Sequence, residues 1–325
     1  MRPFPRLALG TLGAVPFWSR RLWLLPLCAA VLASCGGGSG ATPTPAPPVA
    51  RVGSTVISRA AFDIRLQSTT VAIQQAGGPS HNATMESNLR ATVLRSLILD
   101  AVIAQEAATE GVAVTNAEIQ KEINAEAQQV GGMSQLQSQL ASAGGSMAQL
   151  QDETRSRLNE QHVEDRFAQQ RAALVEQTLR GGADFAQTAQ QYSDDTGTAS
   201  KGGDLGALTE QDLAGDDAAF AGAVRSLAVN TYTTSPVHDS GGYDIIQLYD
   251  RSVTTWSARH ILIAAPAQYT VQDRPAWFAE SLFAAVAQDC QAGRVQVYLQ
   301  NAGGDPCSGA PTLSPAASPA AAAGG

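Results

Sequence analysis

The chain has 325 residues, 44% hydrophobic and 15% charged, with 21 basic against 29 acidic side chains and a formal net charge of −8. That acidity argues against a protein that holds nucleic acid or anionic lipid by charge. Its four histidines, His81, His162, His238 and His260, are scattered, and neither CxxC nor HExxH occurs, so no metal is expected.

Residues 1–21 contain Arg2, Arg6, Arg20 and Arg21 and no acidic residue. The apolar run Leu22 to Ser34, LWLLPLCAAVLAS, is too short for a permanent membrane span and fits the core of a signal peptide. It ends in LASC, Leu32 to Cys35, which resembles the lipobox of bacterial lipoproteins. The resemblance implies removal of residues 1–34, lipid on Cys35, and a membrane-anchored, periplasm-facing protein of the bacterial cell envelope. Gly36, where enteric inner-membrane lipoproteins have aspartate, favours the outer membrane. A plain cleaved signal is the alternative. Loss of the four arginines takes the charge from −8 to −12.

Residues 35–49, rich in Gly and Pro, read as a flexible tether, and 308–325 as a disordered tail. The stretch between them is long enough for two modest domains. If Cys35 carries lipid, Cys290 and Cys307 are an even pair in an oxidising compartment, readable as a disulfide or as two free thiols.

VARVGSTVIS, Val49 to Ser58, alternates around a Gly-Ser turn and predicts a tight hairpin before a helix from Arg59. From Glu86 to Glu110, Leu89, Val93 and Leu97 form one helical row with Leu94 and Ile98 beside it, and Gly111 stops it. TNAE, Thr115 to Glu118, has capping-box spacing, and SMAQ at Ser146 repeats the device. Residues 50–165 therefore read as a helical domain. Residues 161–180 also read as helix, which makes His162 a solvent-facing histidine. Phe185, Ala189 and Tyr192 mark a short amphipathic helix, SKGGDLGAL a glycine-rich turn, DDAAFAGAVRSL another helix, and Ser235 to Arg251 a strand, turn and strand.

DFAQTAQQYSDD, KGGDLG, AFAGAVRSL, SPV and GYDIIQLYDR together resemble, in order and spacing, the parvulin family of peptidyl-prolyl isomerases. The helical region before them is similar to the N-terminal chaperone domain of SurA-type periplasmic foldases. The resemblance implies an α+β protein: a helical SurA-like region, then a small parvulin-like domain over residues 166–264 with an antiparallel four-stranded sheet flanked by helices. It implies isomerisation of X–Pro bonds without any cofactor, acting on unfolded or nascent exported proteins and proline-containing peptides. The proline ring would sit among apolar side chains near the glycine-rich turn. Leu205, Leu213 and Phe220 are the candidates, with core packing as their alternative role; Leu227 reads as core.

Parvulins share three polar positions. Asp195 keeps the one after the YS helix, with Asp194 beside it, while GYDII puts Asp244 where the family has a histidine. The histidine of the opening HIL strand is missing from its usual place, yet ARHILI, with His260, follows the domain. Either this strand begins a decayed second repeat, or the domain is circularly permuted and ARHILI pairs with YDIIQLYD as a hairpin, placing Ile246 and Ile261 on adjacent strands. In the second case Asp195, Asp244 and His260 form the catalytic set, with His260 held protonated by its carboxylate neighbour. The resemblance leaves three roles open: an isomerase, a chaperone or assembly lipoprotein that binds clients without catalysis, and a structural envelope protein. Within residues 265–307, Asp273 to Gly293 predicts an amphipathic helix with Trp277, Phe278, Leu282 and Phe283 on its apolar face. It docks either on the N-terminal domain, as in SurA-like proteins, or on the sheet that contains ARHILI.

Overall fold

The computed structural model describes residues 46–75, 77, 82–265, 274–299 and 305–307. The apolar leader, Cys35 and the tail from residue 308 lie outside the described residues. Among the described residues, no helix is long and apolar enough to cross a membrane.

The chain enters the fold at Val49, which belongs to the core rather than to the tether: it is 1% exposed, and its N–H donates to the Ile57 carbonyl. β1 (Ala50–Val52) and β2 (Thr55–Ile57) form an antiparallel hairpin. α1 (Arg59–Gln75) follows, then α2 (Ala83–Thr109), which starts ahead of its apolar pattern because the Asn82 side chain accepts the Met85 N–H. α3 (Asn116–Gln129) opens with the complete Thr115–Glu118 capping box. After α4 (Met133–Ser142), α5 (Met147–Arg180) runs for 34 residues straight through position 165, so the helical region and the following domain share one rod. His162, on this rod, is not solvent-facing. It is half-buried and its Nδ1 lies 2.8 Å from the Val112 carbonyl, because α5 packs along α2 and covers the turn that follows it.

Beyond α5 come α6 (Phe185–Tyr192), β3 (Asp204–Thr209), α7 (Glu210–Ala214), α8 (Ala218–Ser226), β4 (Thr231–Tyr232), β5 (Val237–His238), β6 (Gly242–Arg251) and β7 (Thr255–Ala264). The strands make an antiparallel sheet in the order β3-β7-β6-β4, with β5 also pairing with β6. The fourth sheet position is thus shared by two two-residue strands; Pro236, which has no N–H for a ladder, lies between them. β6 and β7 form one long hairpin in which Ile245 faces Ile261 and Ile246 faces His260. ARHILI is therefore an inner strand of this sheet and does not open a second repeat.

Strand alternation sorts the two faces. Tyr243, Ile245, Ile261 and Ile263 pack on α5 and α6, whereas Ile246, Leu248 and Ala258 meet Leu213, Phe220 and Val224 of α7 and α8.

α9 (Ala276–Gln291) joins both halves of the molecule. Trp277, Phe278 and Leu282 enter the core between α5 and the sheet, while Ala285 and Val286 enter the core of the N-terminal helices with Phe62, Leu94 and Ile98. Both docking sites are used. Phe283 departs from the expected face and is 71% exposed, since it lies about 100° around the helix from Leu282. At the start of α9, Arg274 pairs with Glu160 at 2.7 Å and with the fully buried Glu164 at 3.2 Å, fixing the helix on α5. β8 (Val295–Val297) then pairs with β1, so the segment after α9 completes the N-terminal sheet. Cys290 and Cys307 are joined by a disulfide with a Cα–Cα distance of 5.4 Å.

The glycine-rich turn explains why β3 and β7 fit together. Gly203 has φ +77°, and a Cβ there would stand 2.0 Å from the His260 carbonyl oxygen. Its own carbonyl accepts the His260 N–H at 2.9 Å. Gly206, three residues on, also has positive φ (+72°) but open space around it. Gly206→Ala is expected to cost the left-handed backbone penalty alone, about 1–2 kcal/mol. Gly203→Ala adds a backbone collision and is expected to cost more than ~4 kcal/mol or abolish folding. Denaturant unfolding of the two variants checks this; equal losses would contradict it.

Candidate functional site

Three acidic or basic side chains distant in sequence meet on the α7–α8 face of the sheet. Asp244 and His260 point the same way because they sit diagonally across the β6–β7 hairpin: Asp244 is opposite Leu262, and His260 is opposite Ile246. His260 Nδ1 lies 2.7 Å from Asp244 Oδ1, and its Nε2 lies 2.9 Å from Asp195 Oδ2. Asp195 reaches this position because the segment after α6 is stitched along β7 beyond the part that pairs with β3. The Asp194 N–H donates to the Leu262 carbonyl at 2.7 Å, and the Leu262 N–H donates to Ser193 Oγ at 3.1 Å. Asp195 is held further by the Gly197 N–H on Oδ1 and by the Thr198 hydroxyl on Oδ2. Thr198 Oγ1 is also 3.2 Å from His260 Nε2.

The electrostatics follow from this geometry. His260 is 8% exposed, and burial opposes the charged ring. The hydrogen bonds and charges of Asp195 and Asp244 outweigh burial and push the imidazole up to about 9. A carboxyl oxygen faces each ring nitrogen, a geometry that together with the raised imidazole favours the doubly protonated ring with both nitrogens donating. The same hydrogen bond from His260, with help from Thr198 and Gly197 against the cost of burial, holds Asp195 well below the usual carboxylate range. Asp239, in the turn before β6, is pushed up to about 6, first by burial and then by the charge of Asp244.

An apolar wall stands beside this row. The Phe220 ring meets His260 edge-on, with centroids 6.1 Å apart. Phe220 is 4% exposed and Leu213 1%, so Leu213 is a core residue backing the wall and Phe220 its floor. Leu205 is partly exposed at the rim, and Leu227 packs against the same cluster. The structure thus brings Asp195, Asp244 and His260 together with Phe220 against the ring, and Leu205 packs on the cluster that contains Phe220. Sequence reasoning missed Thr198 and Asp239. Thr198 was within reach of it, since a hydroxyl three residues after an aspartate is a common local turn partner. Asp239 gave no sign, because its nearness to Asp244 comes from how the β5–β6 turn closes.

The raised imidazole gives a pH dependence whose sign is fixed. An unfolded histidine titrates near ~6.5. The folded value lies above it, so the stabilisation is complete below about pH 6.5 and is lost as pH rises through about 9. Denaturant unfolding of the wild type is expected to show lower stability at about pH 9.5 than at about pH 6.5, and His260→Gln to remove most of that difference. The same difference in both proteins would contradict the assignment.

Two family models match the chain: the SurA-like N-terminal domain over residues 18–164 and the PPIC-type PPIase domain over residues 147–250. The second match stops before β7, so His260 falls outside it. Among similar curated proteins are a foldase protein PrsA of Exiguobacterium sibiricum, 30% identical over 30% of this chain and 36% of that protein. A chaperone SurA of Chromohalobacter salexigens is 38% identical over 27% of this chain and 19% of its own length. A chaperone SurA of Methylobacillus flagellatus is 39% identical over 30% of this chain and 22% of its own length. The chain thus spans between about a fifth and about a third of these relatives. The two family models together run from residue 18 to residue 250, and the chain belongs to the SurA/PrsA-like family of parvulin-type prolyl-isomerase chaperones.

Proposed function

We propose that this protein is a parvulin-type peptidyl-prolyl cis–trans isomerase that assists the folding of exported proteins, anchored in the bacterial envelope through lipid on Cys35. Its substrates are X–Pro bonds in unfolded or nascent chains. The observation that supports this reading is the hydrogen-bonded row Asp195–His260–Asp244 beside the apolar wall of Phe220 and Leu205.

Rotation about an X–Pro bond breaks no covalent bond but faces a barrier of ~18–20 kcal/mol. In the planar amide, resonance places negative charge on the carbonyl oxygen and positive charge on nitrogen; twisting returns electron density to nitrogen. Fixed negative charge near the oxygen, in a site with little water, raises the planar form more than the twisted one and so lowers the barrier. Asp195 is the group placed to supply that charge. Both N–H groups of His260 are already given to carboxylates, so its role is to hold Asp195 in place, with Asp244 holding the ring in turn. Leu205 and Phe220 receive the proline ring. The N-terminal helices hold the rest of the client.

A second reading is a client-holding chaperone with impaired catalysis. Asp244 favours it, because it stands where the family motif has histidine and leaves the row with two carboxylates to one cation. Exchange measurements on a proline-containing tetrapeptide separate the two readings. The wild type is expected to isomerise it above the buffer rate, and Asp195→Ala and His260→Ala to lose about 100-fold in kcat/KM. A wild-type rate equal to buffer, with aggregation of an unfolded client still suppressed, would leave the holding reading alone.

A further inference from the structure

Asp194 and Trp277 are 83 residues apart in the chain, yet they meet directly behind the site. Asp194 Oδ2 accepts the Trp277 Nε1–H at 3.0 Å and the Ala264 N–H at 2.9 Å. The Asp194 N–H donates to Leu262. Arg171 of α5 lies 5.2 Å from the centre of the Tyr192 ring and 5.6 Å from that of Trp277. Burial pushes the Arg171 guanidinium down, and the charge of Asp194 opposes that shift. Ser193 and Asp194, the two residues between α6 and Asp195, are therefore held by β7, and Asp194 also by Trp277 of α9, against whose ring Arg171 of α5 packs.

This arrangement bears on the next residue. Asp195 is in a loop, and its bond to His260 is set by where residues 193–195 lie along β7. The Ser193 and Asp194 contacts fix that segment, and Trp277 fixes the rotamer with which Asp194 grips Ala264. We propose that Asp194 and Trp277 are positioning residues that set the Asp195–His260 hydrogen bond. Because Ala285 and Val286 of the same helix enter the N-terminal core and β8 pairs with β1, the position of Asp195 depends on the docking of the chain's C-terminal segment. The catalytic meaning of this inference rests on the isomerase reading; the geometry does not.

The test uses the full chain and reads the ring N–H signals of His260 by nuclear magnetic resonance, alongside kcat and KM. Trp277→Phe keeps a ring beside Arg171 and removes the donor; Asp194→Ala removes the acceptor; Asp194→Asn keeps an oxygen for both donors. Trp277→Phe and Asp194→Ala are expected to stay folded, to shift the His260 Nε2–H signal, and to lower kcat about tenfold with KM little changed. Asp194→Asn is expected to restore the wild-type signal. An unmoved Nε2–H signal in folded Trp277→Phe and Asp194→Ala would overturn the proposal, as would an Asp194→Asn signal displaced as far as that of Asp194→Ala. If Trp277→Phe does not fold, the two Asp194 variants decide. If the chain shows no isomerase activity, the ring signals decide by themselves, so a failure of the isomerase reading is distinguishable from a failure of positioning.

Discussion

The antiparallel pairing of β6 with β7 is the constraint on which the rest of the structure depends. It places His260 diagonally across from Asp244 on one face and drives Ile245, Ile261 and Ile263 into the core on the other. The opposite edge of β7 is covered in succession by β3, by the carbonyl of Gly203 and by residues 193–194. No side chain could replace the hydrogen of Gly203 there without forcing the two backbones apart. The glycine-rich turn and the histidine strand are therefore a matched pair, although the turn precedes the strand by more than 50 residues.

Much of this was legible in the sequence because it is local. Capping signals at Thr115 and Ser146 place helix starts, and the alternation of GYDIIQLYD and ARHILI, with a short link between them, encodes a hairpin. The parvulin-like motifs carry the α+β class. What the sequence withheld is long-range. Nothing in the pattern of α9 reveals that one half serves the sheet and the other half the N-terminal core, since an apolar stripe does not name its partner. The burial of Leu213 behind Phe220 was equally hidden, because a proline-binding wall and a core are built from the same residue types. Asp239 became visible only once the turn before β6 had a shape.

The charge arrangement gives the site its character. A histidine ring held between two aspartates is a rigid element: each ring nitrogen has a carboxyl partner, and breaking either bond leaves a buried polar group without it. Such a row is suited to fixing a negative group against an apolar wall and poorly suited to passing protons. That suits the proposed isomerisation, in which no proton needs to move. The long α5 and the bridging α9 add to the rigidity, since both run from the N-terminal helices to the back of the sheet.

The most direct measurement of this account is the position and protection of β7 in solution. Amide hydrogen exchange and cross-strand nuclear Overhauser contacts are to be read at His260 and Leu262. A slowly exchanging His260 amide, with contacts from Ile246 to His260 and from Asp244 to Leu262, is the predicted result. Rapid exchange at His260 with no contact to β6 would place the strand outside the sheet and remove the site.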